Sequence, residues 1–290
     1  MAPHRRPAAL YDGTRIRRAI HMDPIAKTAY YCCGVRAADA RSASPICGDH
    51  LAERFMDDEG RAVFEPFARL GPPNAASAAR HRIVDDLLRD RLHAQHDRLV
   101  VTLGAGFDTR PFRLHEGRWV ELDSAAILAL KEQKLPAAEA PNPLQRVPID
   151  FARDTVADRL AQWSGTRDAI VVLEGVSMYL DDAAWRGTAA ALHQRLPGHT
   201  LICDLMNARF ERLYGQRLRR EIRKLGGDFT PSLEDPVSWV VALGYRPVSA
   251  QSISGRAAEH GSVRIPRFLM NTLLRSLRDG YRVHVFDAEH

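Results

Sequence analysis

The stretch Leu99-Val-Val-Thr-Leu-Gly-Ala-Gly-Phe-Asp-Thr-Arg-Pro-Phe-Arg113 joins a short apolar run to a Gly-x-Gly turn. An apolar, β-branched run of this length is typical of a buried strand in a parallel sheet. Gly104 and Gly106 allow a ligand to approach the backbone closely, because glycine has no Cβ. In open α/β sheets, ligands bind at the carboxyl ends of the strands. The stretch therefore predicts a ligand site where this strand ends.

The loop after the strand differs from the dinucleotide-binding fingerprint. That fingerprint has a third glycine that opens a helix, and the helix N-terminus binds a pyrophosphate. Here the third glycine is absent, and Asp108 follows the Gly104-Ala105-Gly106 turn. A carboxylate would repel a pyrophosphate but is acceptable beside a cation. The loop therefore favours S-adenosylmethionine, a nucleoside with a sulfonium and no phosphate, and a strand–turn without a ligand is the alternative.

Length and composition limit the class of protein. The chain has 290 residues, of which 45% are hydrophobic, so one large α/β domain with a substantial core is expected. The net charge of +5 is mildly basic. No block of Lys and Arg is interleaved with aromatic residues, as a single-strand nucleic-acid binder requires. We therefore expect no nucleic-acid partner.

Cysteine spacing and hydropathy indicate a cytoplasmic protein without metal. The cysteines form no Cys-x-x-Cys pair and no zinc-ligand spacing, so no metal is expected and the thiols should be reduced: Cys32, Cys33, Cys47 and Cys203. No run of about 18 apolar residues predicts a membrane span, and residues 1–7 lack the apolar region of a signal peptide.

From Leu99 onward, apolar runs alternate with helical patterns. The runs predict five strands that are separated by helices: 99–103, 119–123, 145–150, 169–173 and 200–205. Such alternation is typical of a doubly wound parallel sheet. Two further strands are predicted over 245–250 and 280–286, with a helix over 265–277 between them. An amphipathic helix over 75–96 precedes the first strand.

A basic amphipathic helix is predicted after the fifth strand. Its apolar face runs from Phe210 to Leu225, and Gly226-Gly227 ends it. Its other positions are mostly basic: Arg209, Arg212, Arg217, Arg219, Arg220, Arg223 and Lys224. We call residues 209–224 the basic helix. It is either a solvated helix face or a lid that attracts an anionic substrate or partner.

Carboxylates follow three of the predicted strands. Asp123 lies about 20 residues after the glycine turn, where a carboxylate accepts hydrogen bonds from ribose hydroxyls. Asp150 could accept from the adenine amine, with Phe151 offering its backbone N–H, and a helix or turn cap is the alternative. Glu174 could pair with a ligand ammonium. Arg80 could bind the ligand carboxylate as a bidentate fork, or lie on the surface.

Together these motifs resemble the leucine carboxyl methyltransferase-like family. The resemblance covers about residues 25–287 and rests on four segments: Leu103-Gly-Ala-Gly-Phe-Asp-Thr-Arg110, Glu121-Leu-Asp123, Asp150 and Glu174-Gly-Val-Ser-Met-Tyr-Leu180. It implies a class I methyltransferase fold, which is a Rossmann-like, doubly wound sheet of seven strands with the last strand antiparallel. It also implies one domain over 21–290 with a cap from about 21–75 and 207–235. Residues 1–20 are expected to be a flexible arm.

The resemblance assigns cofactor contacts to the residues found above and to one more basic side chain. The full prediction for S-adenosylmethionine, whose product is S-adenosylhomocysteine, is Arg36, Arg80, Gly104, Ala105, Gly106, Asp108, Asp123, Asp150, Phe151 and Glu174. Bacterial members of the family include S-adenosylmethionine-dependent O-methyltransferases and polyketide carboxyl methyltransferases of the tetracenomycin type. The resemblance thus implies an O-methyltransferase.

The need for a general base distinguishes the possible methyl acceptors. A carboxylate is already anionic and needs alignment rather than a general base, whereas a phenol or alcohol needs a base, most often histidine. No spacing marks any histidine of the chain as such a base. We therefore expect a carboxyl O-methyltransferase of a small-molecule acid from secondary metabolism, free or bound to an acidic carrier protein. Tyr179 and Arg209 are the candidates for positioning the acceptor.

Four other functions remain open at this stage. The same fold and cofactor could serve a hydroxyl O-methyltransferase, or an enzyme that methylates a protein C-terminal carboxylate. The chain could also be a nucleoside-binding protein without catalysis, or a nicotinamide-dependent dehydrogenase. The sequence does not determine the oligomeric state.

Overall fold

One seven-stranded sheet organises the fold. The computed structural model describes residues 24–261 and 272–289. The strands are β1 (Leu99–Leu103), β2 (Arg118–Asp123), β3 (Leu144–Pro148), β4 (Ile170–Leu173), β5 (Thr200–Met206), β6 (Tyr245–Ser252) and β7 (Tyr281–Ala288). Their spatial order is β3-β2-β1-β4-β5-β7-β6. The first five strands pair in parallel, and β7 runs antiparallel to both β5 and β6.

Helices precede the sheet and connect its strands. Those before β1 are α1 (Pro24–Ala40), α2 (Asp58–Phe64) and α3 (Gly71–Ala94). Those between β1 and β5 are α4 (Arg110–Arg113), α5 (Ala125–Lys134), α6 (Val156–Arg159) and α7 (Asp182–Arg195). Those after β5 are α8 (Ala208–Phe210), α9 (Gln216–Lys224), α10 (Pro236–Val241), α11 (Ile253–Glu259) and α12 (Arg275–Asp279). A π-helical turn over Glu211–Gly215 joins α8 to α9.

The central strands are buried on both faces of the sheet, which explains their continuous apolar runs. Successive side chains of β1 point to opposite faces, so Val100 packs in a cluster with α3 and Val101 in a second cluster with α7. All five residues of β1 are buried. A strand covered on both faces loses the alternation of a half-exposed strand.

A third apolar cluster fixes the N-terminal cap to the glycine turn. Phe107, directly after that turn, stacks on Phe55 with ring centroids 4.7 Å apart and contacts Tyr30 at 4.9 Å. Tyr30 lies in α1, and Phe55 ends a 3₁₀ turn over His50–Phe55. The side chain of Phe107 is therefore an anchor for the cap.

The predicted fold class is confirmed, with changes at element ends. The sheet has seven strands with β7 antiparallel, as the resemblance implied. The helix predicted over 75–96 begins earlier, at Gly71, because proline is tolerated in the first helical turn. The third strand ends at Pro148, so Asp150 follows it by two residues.

Some sequence predictions fall outside the described residues. The predicted arm over 1–20 lies there, as does the part of the predicted 265–277 helix before residue 272. The division into an arm and one domain with a cap stays a prediction. Among the helices that the structure describes, none is both long and apolar enough to span a bilayer.

Glu121 of β2 forms two buried ion pairs, and their loss should lower the stability of the fold. Lys131 Nζ lies 2.5 Å from Glu121 Oε1, and Arg146 Nε lies 3.1 Å from Glu121 Oε2. We expect Lys131→Ala to lower the free energy of unfolding by about 3–5 kcal/mol, because Glu121 loses a buried partner. Urea denaturation measures the change. Lys134→Ala, at the end of the same helix as Lys131, breaks a partly exposed pair with Asp57, which precedes α2, and should cost less than about 1 kcal/mol. Equal losses of unfolding free energy in the two variants would contradict a stabilising role for the buried pair of Lys131 and Glu121.

Candidate cofactor site

A cavity of about 810 Å³ lies at the carboxyl ends of the strands. It is lined by every predicted cofactor residue and by Tyr179: Arg36, Arg80, Gly104, Ala105, Gly106, Asp108, Asp123, Asp150, Phe151, Glu174 and Tyr179. Arg209, the other candidate for positioning the acceptor, is exposed on α8 and does not line the cavity. The structure thus brings together residues that are up to 143 positions apart, Arg36 and Tyr179.

The glycine turn has a backbone that other residues would strain. Gly104 and Gly106 have φ angles of 66° and 46°, in the left-handed region. A Cβ on Gly104 would also lie 2.5 Å from Cγ2 of Val176, which is closer than real Cβ atoms approach. The turn therefore needs glycine at position 104 for its conformation and for its packing against the end of β4.

Asp123 is oriented toward the cavity by the backbone of the turn. Its Oδ2 accepts a hydrogen bond from the Gly106 N–H at 2.7 Å, and its Oδ1 accepts one from the Ser124 N–H at 2.6 Å. Burial raises the pKa of Asp123 above its ordinary value, and these two hydrogen bonds act in the opposite direction. Since a carboxylate has about four acceptor sites, two remain for ligand hydroxyls.

Asp150 and Phe151 lie at the rim of the same cavity. Asp150 is exposed and its Oδ1 accepts from the Ala152 N–H at 3.0 Å, which is a local turn cap. The Asp150 N–H donates to Asp154 Oδ2 at 2.8 Å. The side chain of Phe151 is 46% exposed. The capping alternative is thus real, and contact with adenine stays a prediction.

Glu174 is held by two arginines. Its Oε1 lies 3.2 Å from Arg80 Nε, and its Oε2 lies 2.7 Å from Arg110 Nη2. Burial by itself would raise the pKa of Glu174, but the adjacent charges of Arg110 and Arg80 and the contact with His81 hold it well below its usual range. Glu174 is therefore ionised, and a ligand ammonium would be an additional partner for it.

Arg80 is buried, so the surface alternative for this residue is wrong. Besides Glu174, it donates from Nη1 to Asp204 Oδ2 at 3.2 Å and to the Tyr281 hydroxyl at 2.7 Å. Its guanidinium also packs beside Gly175, whose φ is 70°. A Cβ at position 175 would lie 2.8 Å from Arg80 Nη2. The glycine in Glu174-Gly175 therefore leaves space for this arginine.

Arg110 is the central cation of the site, and the sequence analysis did not predict it. Its side chain is 1% exposed and pairs with Asp85, Asp108 and Glu174 at 2.6, 2.8 and 2.7 Å. The prediction that Asp108 faces a cationic ligand is therefore wrong in its reason, because Arg110 already supplies the cation beside Asp108. The Asp108-Thr109-Arg110 spacing was the available signal, since an acid and a base two residues apart in a loop can pair locally.

His81 and Arg113 complete the buried network on α3 and α4. Both ring nitrogens of His81 lie 2.8 Å from an arginine nitrogen, one from Arg110 and one from Arg113. Burial and then the charge of Arg110 lower the pKa of His81, so the ring is neutral at pH 7. His81 and Asp85 interrupt the apolar pattern of the predicted helix, and this break is the signal that could have revealed them.

Arg36 connects the cap to the glycine turn. Its Nη1 lies 2.5 Å from Asp49 Oδ2, and its Nη2 donates to the Phe107 carbonyl at 2.9 Å. Asp49 also lies 3.3 Å from Arg113. Arg36, the predicted basic residue of this region, therefore lines the cavity and is buried and paired with Asp49. In the described part of the chain, no group of three or more His, Cys, Asp or Glu residues could hold a metal ion.

Comparisons with known proteins show the family of this chain. Residues 29–193 match the family described as leucine carboxyl methyltransferase. The chain belongs to this family. A protein of Frankia alni, named as an S-adenosyl-L-methionine-dependent methyltransferase, is 30% identical over 81% of this chain and 86% of its own length. A relative of Streptomyces avermitilis with the same kind of name is 26% identical over 81% of this chain and 87% of its own.

The fold has counterparts among solved structures. A protein from Thermobifida fusca, named as a methyltransferase, superposes with a TM-score of 0.56 at 14% identity, over 83% of this chain and 94% of its own. With the family match, the chain is an S-adenosylmethionine-dependent methyltransferase, as predicted. The alternative of a nicotinamide-dependent dehydrogenase is therefore wrong.

The residues of the cavity suit this cofactor. The two remaining acceptor sites of Asp123 match the ribose hydroxyls, and the glycine turn allows the nucleoside to approach the backbone. Arg80 offers a buried cation for the carboxylate of the amino-acid part. The individual contacts with the cofactor stay predictions.

We expect Asp123→Ala to weaken the binding of S-adenosylhomocysteine at least tenfold. The substitution removes hydrogen bonds to a charged group, which contribute about 1.5–3 kcal/mol. Isothermal titration calorimetry measures the affinity. Asp181→Ala is the matched control, because Asp181 caps α7 through the Ala184 N–H and does not line the cavity. The assignment of Asp123 fails if both variants bind like the parent protein.

Proposed function

We propose that the enzyme transfers a methyl group to the carboxylate of a small-molecule acid and forms its methyl ester. The observation that carries this proposal is that neither ring nitrogen of His81 is free to act as a base. His81 is the histidine that lines the cavity among the described residues, and arginines occupy the space beside both of its nitrogens. A hydroxyl acceptor would need a base, whereas a carboxylate acceptor needs none.

The part of the cavity under the cap suits an acid. Ile25, Thr28 and Cys32 of α1 line it together with Tyr179. Burial raises the pKa of Tyr179, so its hydroxyl stays protonated at neutral pH and can donate to a carboxylate. Tyr179 is held edge-on against Phe229, with ring centroids 5.5 Å apart. These contacts support Tyr179 as a residue that orients the acceptor.

Contacts of the cap support a role in keeping water from the reacting atoms. The segment after the basic helix packs against α1, since Cβ atoms on Gly226 and Gly227 would lie near Pro24 and Ile25. The Thr230 N–H donates to the Met178 carbonyl at 2.9 Å, next to Tyr179. Excluding water and aligning the acceptor are the main tasks of the protein in an in-line displacement.

The cofactor, when bound, supplies an electrophilic methyl group on its sulfonium. Asp123 and Arg80 would hold the two ends of the cofactor, and Tyr179 would orient the acceptor oxygen. The acceptor is ionised at neutral pH, because carboxylic acids have pKa values near 4. No proton has to be removed, so the chain needs no general base for this reaction.

The pH dependence of the reaction tests this proposal. We expect kcat/KM on an acid acceptor to be flat between about pH 6 and 9, because neither the acceptor nor a base titrates there.

The alkali stability of the product is a second test. When the enzyme is incubated with labelled cofactor and an extract of the native organism, the methylated product should release its label in mild alkali, as an ester does. The methyl ester of the same acid is the control acceptor and should be inactive.

Two outcomes would favour other functions. An alkali-stable product, or an inflection of the pH–rate profile near neutral pH, would support a hydroxyl O-methyltransferase. A product only on peptides with a free C-terminus would support methylation of a protein C-terminal carboxylate.

The basic helix favours an acidic carrier that presents the acid. Arg219 is not available for this role, since it pairs with Glu211 and Asp228. Arg217 and Arg220 are exposed, and no carboxylate of the described residues lies within ion-pair distance of them. Beside them Leu213 is 53% exposed. Because the basic helix leads directly to the cap over Tyr179, a partner bound there would reach the mouth of the cavity.

We expect the double reversal Arg217→Glu and Arg220→Glu to lower kcat/KM on a carrier-bound acid at least tenfold, because like charges would then face an acidic partner. Activity on the free acid should not change. The matched control reverses Arg118, at the start of β2, and Arg167, before β4. Both are exposed and lie at the amino ends of the parallel strands, away from the cavity. Unchanged activity on the carrier-bound acid would contradict the role of the basic helix.

A further inference from the structure

Asp204 and Tyr281 lie behind Arg80 and outside the set of residues predicted from the sequence. The Tyr281 hydroxyl donates to Asp204 Oδ2 at 2.6 Å, and Arg80 Nη1 donates to both of these groups. Asp204 Oδ1 accepts from the Gly175 N–H at 2.7 Å. One carboxylate therefore contacts the arginine, the tyrosine and the turn that leaves space for the arginine.

These contacts join three elements that are far apart in sequence. Arg80 belongs to α3, Asp204 to β5 and Tyr281 to β7. In the antiparallel ladder Tyr281 is paired with Met206, so its hydroxyl reaches Asp204 two residues back along β5. All three side chains are buried, and Asp204 is 1% exposed. Burial raises the pKa of Tyr281, which keeps its hydroxyl a donor toward Asp204.

The contacts leave one end of the guanidinium for a ligand. Arg80 Nε is engaged by Glu174, and Nη1 by Asp204 and Tyr281. Nη2 lies beside Gly175 and 3.7 Å from Cys32 Sγ, a weak contact, and both of those residues line the cavity. Because the guanidinium is planar and rigid, fixing Nε and Nη1 also fixes the direction of Nη2.

We propose that Asp204 and Tyr281 are positioning residues that aim Nη2 of Arg80 at the carboxylate of the amino-acid part of the cofactor. They act through Arg80 and do not touch the reacting atoms. An arginine held in place before binding loses less freedom when the ligand arrives, so more of the interaction appears as affinity. The pair would therefore select nucleosides that carry a carboxylate over those that lack one.

The test compares two ligands that differ in this carboxylate. S-adenosylhomocysteine carries it, whereas 5′-methylthioadenosine shares the nucleoside and the sulfur but has no amino-acid part. We expect Tyr281→Phe to weaken the binding of S-adenosylhomocysteine at least fivefold in calorimetry. The affinity for 5′-methylthioadenosine should stay within twofold of that of the parent protein. The phenylalanine keeps the ring that packs against Phe210 and removes only the hydroxyl.

Tyr245→Phe is the matched control. Tyr245 is a buried tyrosine of β6, and its hydroxyl bonds to His199 Nε2 at 2.9 Å, outside the cavity. It should leave both affinities unchanged. Equal weakening of both ligands by Tyr281→Phe would indicate a merely structural role and overturn the proposal, and so would no change for either ligand.

A double-mutant cycle with Arg80→Gln separates direct from indirect effects. If Tyr281 acts through Arg80, Tyr281→Phe should cause no further loss of S-adenosylhomocysteine affinity in the Arg80→Gln background. Full additivity would contradict the proposal. Should Tyr281→Phe lower the melting temperature too far for titration, Asp204→Asn provides the same comparison of two ligands. None of these readouts depends on the identity of the methyl acceptor.

Discussion

The buried ion network around Glu174 is the constraint on which the other features of the site depend. Its members are four arginines and five carboxylates: Arg36, Arg80, Arg110, Arg113, Asp49, Asp85, Asp108, Glu174 and Asp204. Burying a charge costs several kcal/mol unless it is paired and hydrogen-bonded, so the loss of one member leaves its partners uncompensated. The network thereby ties α1, α3, the glycine loop and the ends of β4 and β5 into one arrangement.

This network changes the electrostatic description of the cavity. The sequence suggested an edge of the sheet ringed by carboxylates, which would suit a ligand that is simply cationic. In the structure Asp108 and Glu174 are matched by Arg110, and Arg80 brings positive charge to the same wall. Such a wall can accept both an ammonium and a carboxylate, which are the two charges of the amino-acid part of S-adenosylmethionine.

The two ends of the cavity are built differently. The end near Asp150 and Phe151 is an exposed rim, and its polar groups form local turn caps. The end under α1 is covered, and Tyr179 is held there by the segment that follows the basic helix. Under the proposed function, this end would suit an anionic acceptor, because an in-line displacement needs alignment and the exclusion of water more than proton transfer.

Local sequence was sufficient for the elements of the sheet, for the glycine turn and for three carboxylates that line the cavity. The apolar run 99–103, the positive φ required at Gly104 and Gly106, and a carboxylate at or just after the ends of three strands are properties of neighbouring residues. The carboxyl ends of parallel strands meet at one edge, so Asp123, Asp150 and Glu174 converge as the spacing predicted. The resemblance added the antiparallel β7, which periodicity does not reveal.

Tertiary structure alone decided how the charges are paired. Arg110 was a charged residue after a loop, and Asp204 and Tyr281 were ordinary strand residues, until packing placed them around Arg80 and Glu174. The partners come from residues up to 201 positions apart, as for Arg80 and Tyr281. Sequence alone predicts that a strand ends in a carboxylate, because that depends on local pattern. Which arginine neutralises it depends on desolvation and on contacts between distant elements, and those exist only in the folded chain.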